Sequence, residues 1–488
     1  MKRAILPLHR YLGIALCLMV AAWCLSGLVM MYVAFPQFGA QTRIADLAPL
    51  EFADCCDFNA VRLAGRHDPI DAFEIEMLAG QPVLRLIRDD AQTIIDLKRG
   101  ALLAAVDGSE ALRIAADYQH ASGAIGEPRF IATIERDQWT VSGDYAHDRP
   151  LHEIALGDRQ GTELYVSARS GKIVQRTTAR ERVWNYAGAV THWLYFTPLR
   201  VHSTAWARTV IGLSGLGLCL TAAGLYLGIA QLGLGQRSLL RSPFSGVRLW
   251  HHVLGTLVGV FAIAWVGSGL LSMNPWGLLE SQYGADEQAH LRQLDLTSTV
   301  AIDTAERLVR DTAAGGLTNG RGLLQLANTP LGPALTLLAT GTKGRSRLNA
   351  STLGPTPLQP AELLEALRHL RPGQAPASAG LLSAGDDYYY SEHDTPLAAA
   401  YRVVFDDAEH SRYYFDPVSG ALLLKIDRAA RGYRWWFNAI HRWDFSPGMR
   451  HRPLWDFVVG ALLLGVTASS ITGVVLGFRR LTRRSPNA

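Results

Sequence analysis

Four stretches of the chain carry no charged residue: Tyr11–Thr42, Thr209–Gln236, Leu249–Leu279 and Phe457–Phe478. A helix needs about 20 apolar residues to cross a hydrocarbon core of about 30 Å, and each stretch is long enough. The pattern predicts membrane helices over 8–35, 206–231, 250–274 and 454–478. The first is much longer than the core of a cleaved signal peptide, so it reads as a span. The segments 40–180 and 280–430 instead mix short apolar runs with helix-like stretches, bounded by Gly, Asp and Pro. Pro82–Ile87, Thr93–Leu97 and Thr162–Ser167 read as strands, as do Ala399–Phe405 and Ser411–Phe415. Ser109–His120 and Ala361–His369 read as helices, whereas 310–360, rich in Gly, Thr and Pro, shows no clear period. Aromatic stretches at 181–200 and 431–446 precede spans two and four and suit interfacial helices. The predicted fold class is a membrane α-helical bundle of four spans with two α+β domains outside it.

The chain writes this plan twice. Trp250–Met273 lies without gaps on Leu8–Met31 at a shift of about 242 positions, His251 on His9, Trp265 on Trp23 and Ser268–Gly269 on Ser26–Gly27. At a shift of about 249, Tyr413–Gly420 (YYFDPVSG) matches the turn in Glu163–Gly171 (ELYVSARSG). His441 then falls on His192, His451 on His202, Trp455 on Trp206, and Gly473 and Gly477 on Gly224 and Gly228. A local shift pairs His393–Asp394 with His147–Asp148. Two copies in the same orientation imply a pseudo-twofold along the membrane normal.

Charge fixes the expected orientation. Lys2, Arg3 and Arg10 open the chain, Arg237, Arg241 and Arg248 fill the loop 232–249, and Arg479, Arg480, Arg483 and Arg484 mark the tail 479–488. The positive-inside rule puts these three segments in the cytoplasm and both long segments outside. A net charge of +4 is largely these anchors, so nucleic acid is not an expected partner. Five cysteines make no disulfide framework: Cys17, Cys24 and Cys219 sit in spans, and adjacent Cys55 and Cys56 read as two ordinary positions, with a vicinal disulfide as the alternative. No C-x-x-C-H occurs, which excludes covalent haem attachment of the c type. Walker and H-E-x-x-H motifs are absent too, and uncharged spans argue against an ion-coupled transporter.

A pseudo-twofold brings equivalent positions face to face. His9 would meet His251 near the cytoplasmic face, and His192 would meet His441 near the outer face, with His202 and His451 as another outer pair. A lone histidine at a helix start is ordinarily interfacial or capping. Doubled histidines at two levels, flanked by aromatic and small residues, suit axial ligands of two non-covalent haems, one per face. The repeat favours His251 over its neighbour His252, which could bind instead or support propionates. The cytoplasmic segments are too short for a flavin or nicotinamide domain, so the electron donor would be membrane quinol or another protein. Asp386–His393 (DDYYYSEH) reads as a solvated strand end, with an outer ligand surface as the alternative.

These motifs resemble the PepSY-associated transmembrane helix family, which includes inner-membrane ferrisiderophore reductases. LHRYLG and WHHVLG open spans one and three, SGLVMMY and SGLLSMNPW close them, and GAVTHWLYFTPLR and RWWFNAIHRWDFS precede spans two and four. The resemblance covers nearly the full length; the first-copy turn departs from the family's D-P-x-[ST]-G. It implies periplasmic PepSY-type domains, b-type haem held by His9, His192, His251 and His441, and reduction of a ferric siderophore or similar chelate on the periplasmic side. The alternative is a membrane-anchored module that binds or regulates a peptidase without redox activity.

Overall fold

The computed structural model describes residues 2–52, 55–64, 69–88, 91–232, 242–281, 296–313, 321–326, 336–341, 344–382, 384–391 and 397–482. Arg237, Arg241, Arg483, Arg484 and the His393–Asp394 pair lie outside them.

Four helices are long and apolar enough to cross a membrane: Lys2–Met30, Ser203–Gln231, Val247–Ser272 and Leu454–Thr482. They are here spans 1 to 4. Spans 1 and 3 each pack against both 2 and 4, which sets 1 and 3 across the diagonal of a four-helix bundle. Leu16, Val20, Leu220, Val258, Leu463 and Val466 fill its centre. Close approach relies on glycine at a few positions. A Cβ at Gly228 would stand 2.4 Å from Thr256 Oγ1, and one at Gly465 would stand 3.0 Å from Val258.

The first long segment forms β1 (Ala72–Leu78), β2 (Gln81–Arg88), β3 (Ala91–Asp96) and β4 (Ala101–Leu102), then β5 (Arg129–Ile134), β6 (Leu151–Ala155), β7 (Glu163–Ser167) and β8 (Ile173–Thr177). The second forms β9 (Arg321–Leu326), β10 (Thr336–Gly341) and β11 (Gly344–Asn349), then β12 (Ser378–Leu382), β13 (Ala400–Val404), β14 (Arg412–Phe415) and β15 (Leu422–Ile426). Each copy closes with its own four-stranded antiparallel sheet, β5–β8 or β12–β15. The earlier strands do something else: they join into one seven-stranded sheet in the order β11-β10-β9-β1-β2-β3-β4. Its centre is the antiparallel pair β1–β9, where Ile75 faces Leu324, flanked by Glu74 opposite Gln325 and Glu76 opposite Leu323. Ile75 and Leu324 are themselves 249 positions apart, so the pseudo-twofold passes through that pair.

The boundaries 40–180 and 280–430 therefore do not divide the extramembrane part into two independent domains. Fusion across β1–β9 buries one core from both copies, Phe73, Ile75 and Leu84 with Ala301, Leu308 and Leu337. The helices Phe58–Ala64 and Ser298–Ala313 cover it. Cys55 and Cys56 pack at its edge and are bonded to each other, the alternative of the two sequence readings. On the other face of β2 lies a buried charge cluster. Arg85, fully buried, donates through Nε to Glu76 Oε1 at 2.5 Å and through Nη1 to the carbonyl of Ser170 at 2.5 Å. Arg43 donates to Glu76 Oε2 at 2.9 Å. The turn after β7 is thus docked on the large sheet by an arginine. In the second copy an arginine again reaches the turn, but from β11 and through a side chain: Arg345 pairs with the Asp416 carboxylate of YYFDPVSG.

Candidate functional site: two histidine pairs in the helical bundle

His9 lies near the start of span 1 and His251 near the start of span 3, and their ring centroids are 6.1 Å apart with the planes at 35°. His192 and His441 belong to the aromatic helices that precede spans 2 and 4. Their centroids are likewise 6.1 Å apart, with planes at 71°. Both sequence-predicted pairs come together. They stand at different heights: His192 reaches span 1 at Trp23–Gly27, and 17 residues of helix from His9 to Ser26 rise about 25 Å.

The two aromatic helices aim their histidines by the same local device. A capping box of Thr178 and Glu181 starts the first helix, and the Asp427 side chain accepts from Ala430 N at the start of the second. Each then passes into a π-helical turn, Tyr186–Val190 or Arg434–Ala439, just before its histidine. Each stops two residues after it, at Leu194 (φ 52°) or Trp443 (φ 61°), in the left-handed conformation that ends helices. One helix interrupted in this way replaces the continuous interfacial helix expected from the sequence. The copies also share an anchor: Trp206 Nε1 donates to Trp193 O at 2.8 Å, and Trp455 Nε1 to Arg442 O at 2.6 Å.

All four rings are oriented through Nδ1. That atom of His9 lies 3.2 Å from Leu220 O, and that of His251 lies 3.2 Å from Ser469 O and 3.0 Å from Thr472 Oγ1. His192 Nδ1 is 3.0 Å from Trp23 O and 3.1 Å from Ser26 Oγ, and His441 Nδ1 is 3.0 Å from Ser268 Oγ. With the proton on Nδ1, the Nε2 lone pair is left for a metal, which is how metal-bound histidines are ordinarily held. A repeat-related glycine lies against each ring. A Cβ at Gly224 would stand 2.7 Å from His9 Cε1, at Gly473 3.3 Å from His251 Cε1, at Gly27 3.4 Å from His192 Cε1 and at Gly269 3.5 Å from His441 Cε1.

Burial holds the His192 imidazole below its ordinary range. Burial, helped by nearby His192 and Arg442, pushes His441 down to about 3. Both are therefore neutral, the form that donates a lone pair.

His252 is different. Its Nδ1 is 2.8 Å from Ser242 Oγ and its Nε2 is 2.9 Å from Gly228 O, so both nitrogens are spent inside the protein. It ties the start of span 3 to span 2 and is not a counterpart ligand. His202 and His451 are exposed and join neither pair. The strip Asp386–Ser391 is not a solvated strand end. Asp386 accepts from the backbone of Tyr388 and Tyr389 and from the Tyr414 hydroxyl at 2.8 Å, as Asp137 does from Trp139, Thr140 and Tyr165 in the first copy.

Among the described residues no three or more His, Cys, Asp or Glu gather to hold a metal ion. Two imidazoles are too few for a closed protein site, so a metal held between them would need its remaining ligands from the group that carries it. A planar tetradentate macrocycle is the chemistry that fits. Two metal–nitrogen bonds of about 2 Å, plus about 1 Å from each nitrogen to its ring centre, separate axial imidazole centroids by about 6 Å. The observed spacing is 6.1 Å at both levels. The search of known protein families and of curated proteins finds no match for this chain.

Proposed function

We propose that the protein is a b-type di-haem oxidoreductase of a cytoplasmic membrane, which passes electrons to ferric chelates on the outer side, in the manner of the PepSY-associated ferrisiderophore reductases its motifs resemble. The observation that carries this reading is the pair of imidazole pairs at two heights, each at axial-ligand spacing with Nδ1 engaged by a neighbouring helix. Bound at each pair, haem supplies a one-electron iron couple. The chain's own part is to present neutral imidazoles, fix their tautomer, clear the space with glycines and exclude water with Leu16, Val20, Val258 and Leu463. A ferric chelate that takes one electron becomes a ferrous chelate, and hard oxygen donors hold ferrous iron less well, so iron is released.

Orientation follows from charge. Lys2, Arg3, Arg10, Arg248, Arg479 and Arg480 mark the end of the bundle remote from the sheets as cytoplasmic. Membrane quinol or a cytoplasmic reductase is then the donor at the His9–His251 level.

The full-length protein, purified in detergent from haem-replete cells, is expected to show a b-type spectrum and a pyridine haemochrome count of two per chain. A colourless preparation would overturn the reading and leave a membrane-tethered binding module. The glycine cradles give a sharper check. A leucine at Gly224 drives its side chain into the His9 ring, so Gly224→Leu is expected to lower the count to about one. The haem it retains should have the spectrum of the level held by His192 and His441; two unperturbed haems in this variant would contradict the assignment.

A further inference from the structure

The two copies agree at the histidines but differ beside the outer pair. In the first copy the chain leaving span 1 is tied down: Asn185 Nδ2 donates to Ala34 O at 3.0 Å and Gln175 Nε2 to Pro36 O at 2.8 Å. Phe35 is thereby held against Trp139 and Trp193, at 6.0 and 5.8 Å between ring centroids. In the second copy the residues equivalent to Asn185 and Gln175 are Arg434 and Leu424. Leu424 has no amide to tether the chain leaving span 3. Arg434 turns away to Asp444, donating through Nη1 at 2.8 Å, and stacks on Tyr390 at 4.7 Å. In the second copy a cavity of about 750 Å³ lies beside these residues, walled by Tyr388, the equivalent of Trp139, with Tyr390, Tyr433, Leu424 and Met273.

This cavity leads to a ligand histidine. Tyr433, Phe437 and His441 follow one another at i, i+4 and i+8, with ring centroids 5.0 and 5.3 Å apart. The equivalent of Phe437 in the first copy is Gly188, where a Cβ would already stand 3.1 Å from Val29. Among the described residues the second copy joins this cavity to the outer pair by a run of aromatic rings, which Gly188 interrupts in the first copy.

We propose that this second-copy cavity is the binding site for the ferric chelate, and that it takes chelates of zero or low net charge rather than polyanionic ones. The inference rests on the proposed function for the purpose of the site, though its occupancy can be measured apart from it. The volume lies within the range of sites for small organic ligands. The walls offer aromatic faces, the phenol of Tyr433 and the amide of Asn438. Arg434, the one cation among the described lining residues, is already neutralised by Asp444, and Glu280 adds a negative charge at the rim. A trianion would have to shed its hydration here with no free cation among the described lining residues to replace it.

The test uses redox-silent gallium(III), so that binding is read without electron transfer. Full-length protein is titrated calorimetrically with a neutral hexadentate gallium(III) trihydroxamate and with a trianionic gallium(III) tricatecholate of similar size, and haem is counted in each preparation. Saturable binding of the neutral complex, at least about tenfold tighter than the trianion, is expected. Ala430→Trp, which fills the cavity, should weaken it by about tenfold or more, and Leu424→Gln, which restores the first-copy tether residue, should weaken it too. Trp184→Ala, at the first-copy equivalent of Tyr433, should leave it unchanged. Neutral binding that survives in haem-free protein would uphold the site while the haem reading fell. Haem-loaded protein that binds neither complex, prefers the trianion, or ignores both cavity substitutions would overturn the site.

Discussion

Alanine at His441 is expected to leave a protein with one haem in place of two. The imidazole of His441 faces that of His192 at 6.1 Å and is aimed by Ser268 Oγ, so under the proposed function its removal takes away one of the two imidazoles that would hold the outer haem. His192→Ala should match it, and His9→Ala or His251→Ala should do the same to the other level, since no pair shares a ligand with the other. The double substitution His9→Ala with His441→Ala should be free of haem. A smaller effect is expected from Ser268→Ala. The ring keeps its lone pair but loses one of the partners that fix its tautomer, and outer-shell losses of this kind weaken metal binding by about 10–100-fold. Replacing His252 by Gln should leave both haems, because neither of its nitrogens is turned to a bound group. The pyridine haemochrome count per chain checks all of these. A count of two in His441→Ala, or a loss of haem in His252→Gln, would place the ligands elsewhere.

Glu76→Ala should be the most destabilising change in the extramembrane part. It strips the carboxylate from Arg85, which is fully buried between β1, β2 and the turn at Ser170, and from Arg43. Breaking a buried ion pair from one side costs about 3–5 kcal/mol, because the remaining charge is left in a medium that cannot solvate it. Replacing both partners, Glu76→Leu with Arg85→Met, should recover much of the loss. The same pair predicts an acid sensitivity. Burial alone would raise the Glu76 carboxyl, but the charges of Arg85, Arg43 and Lys172 outweigh it and hold the group at about 2. A carboxylate depressed in the folded state contributes its stability above the unfolded value of about 4.3 and loses it as pH falls towards 2, here about 3 kcal/mol in all. Protease resistance of the full-length protein measures both effects. Resistance that is flat between pH 5 and pH 2, or equal in Glu76→Ala and wild type, would refute the role given to this pair.

The spans and the histidine pairs were legible because they rest on signals that are local or repeated. An uncharged run of the length seen in Leu249–Leu279 has one low-energy answer in a bilayer. A histidine duplicated with its neighbours predicts its own partner once the copies are related by a twofold. The individual strands of the long segments were legible for the same reason, since alternation and turn residues act within a few positions. The large sheet was not. Nothing in Arg321–Leu326 (RGLLQL) says that its edge belongs to Ala72–Leu78 rather than to a sheet of its own, because backbone pairing across some 250 residues is decided by which exposed edges meet. The cavity was only half legible. The strip Asp386–His393 carried an outer ligand surface as its alternative reading, but Leu424 reads as an ordinary strand residue, and only the tertiary structure sets it in one wall with Tyr388 and Tyr390.

The sequence by itself determined the number of helices long and apolar enough to span a membrane, the duplication and the four histidines that pair, since hydropathy and repetition do not depend on packing. Tertiary structure decided that both nitrogens of His252 are engaged, in line with the repeat's preference for His251, and it alone decided that two long segments share one sheet and that the copies are unequal beside the outer pair. Each of those outcomes turns on which nitrogen, edge or side chain finds a partner first, and partners come from elements distant in the chain.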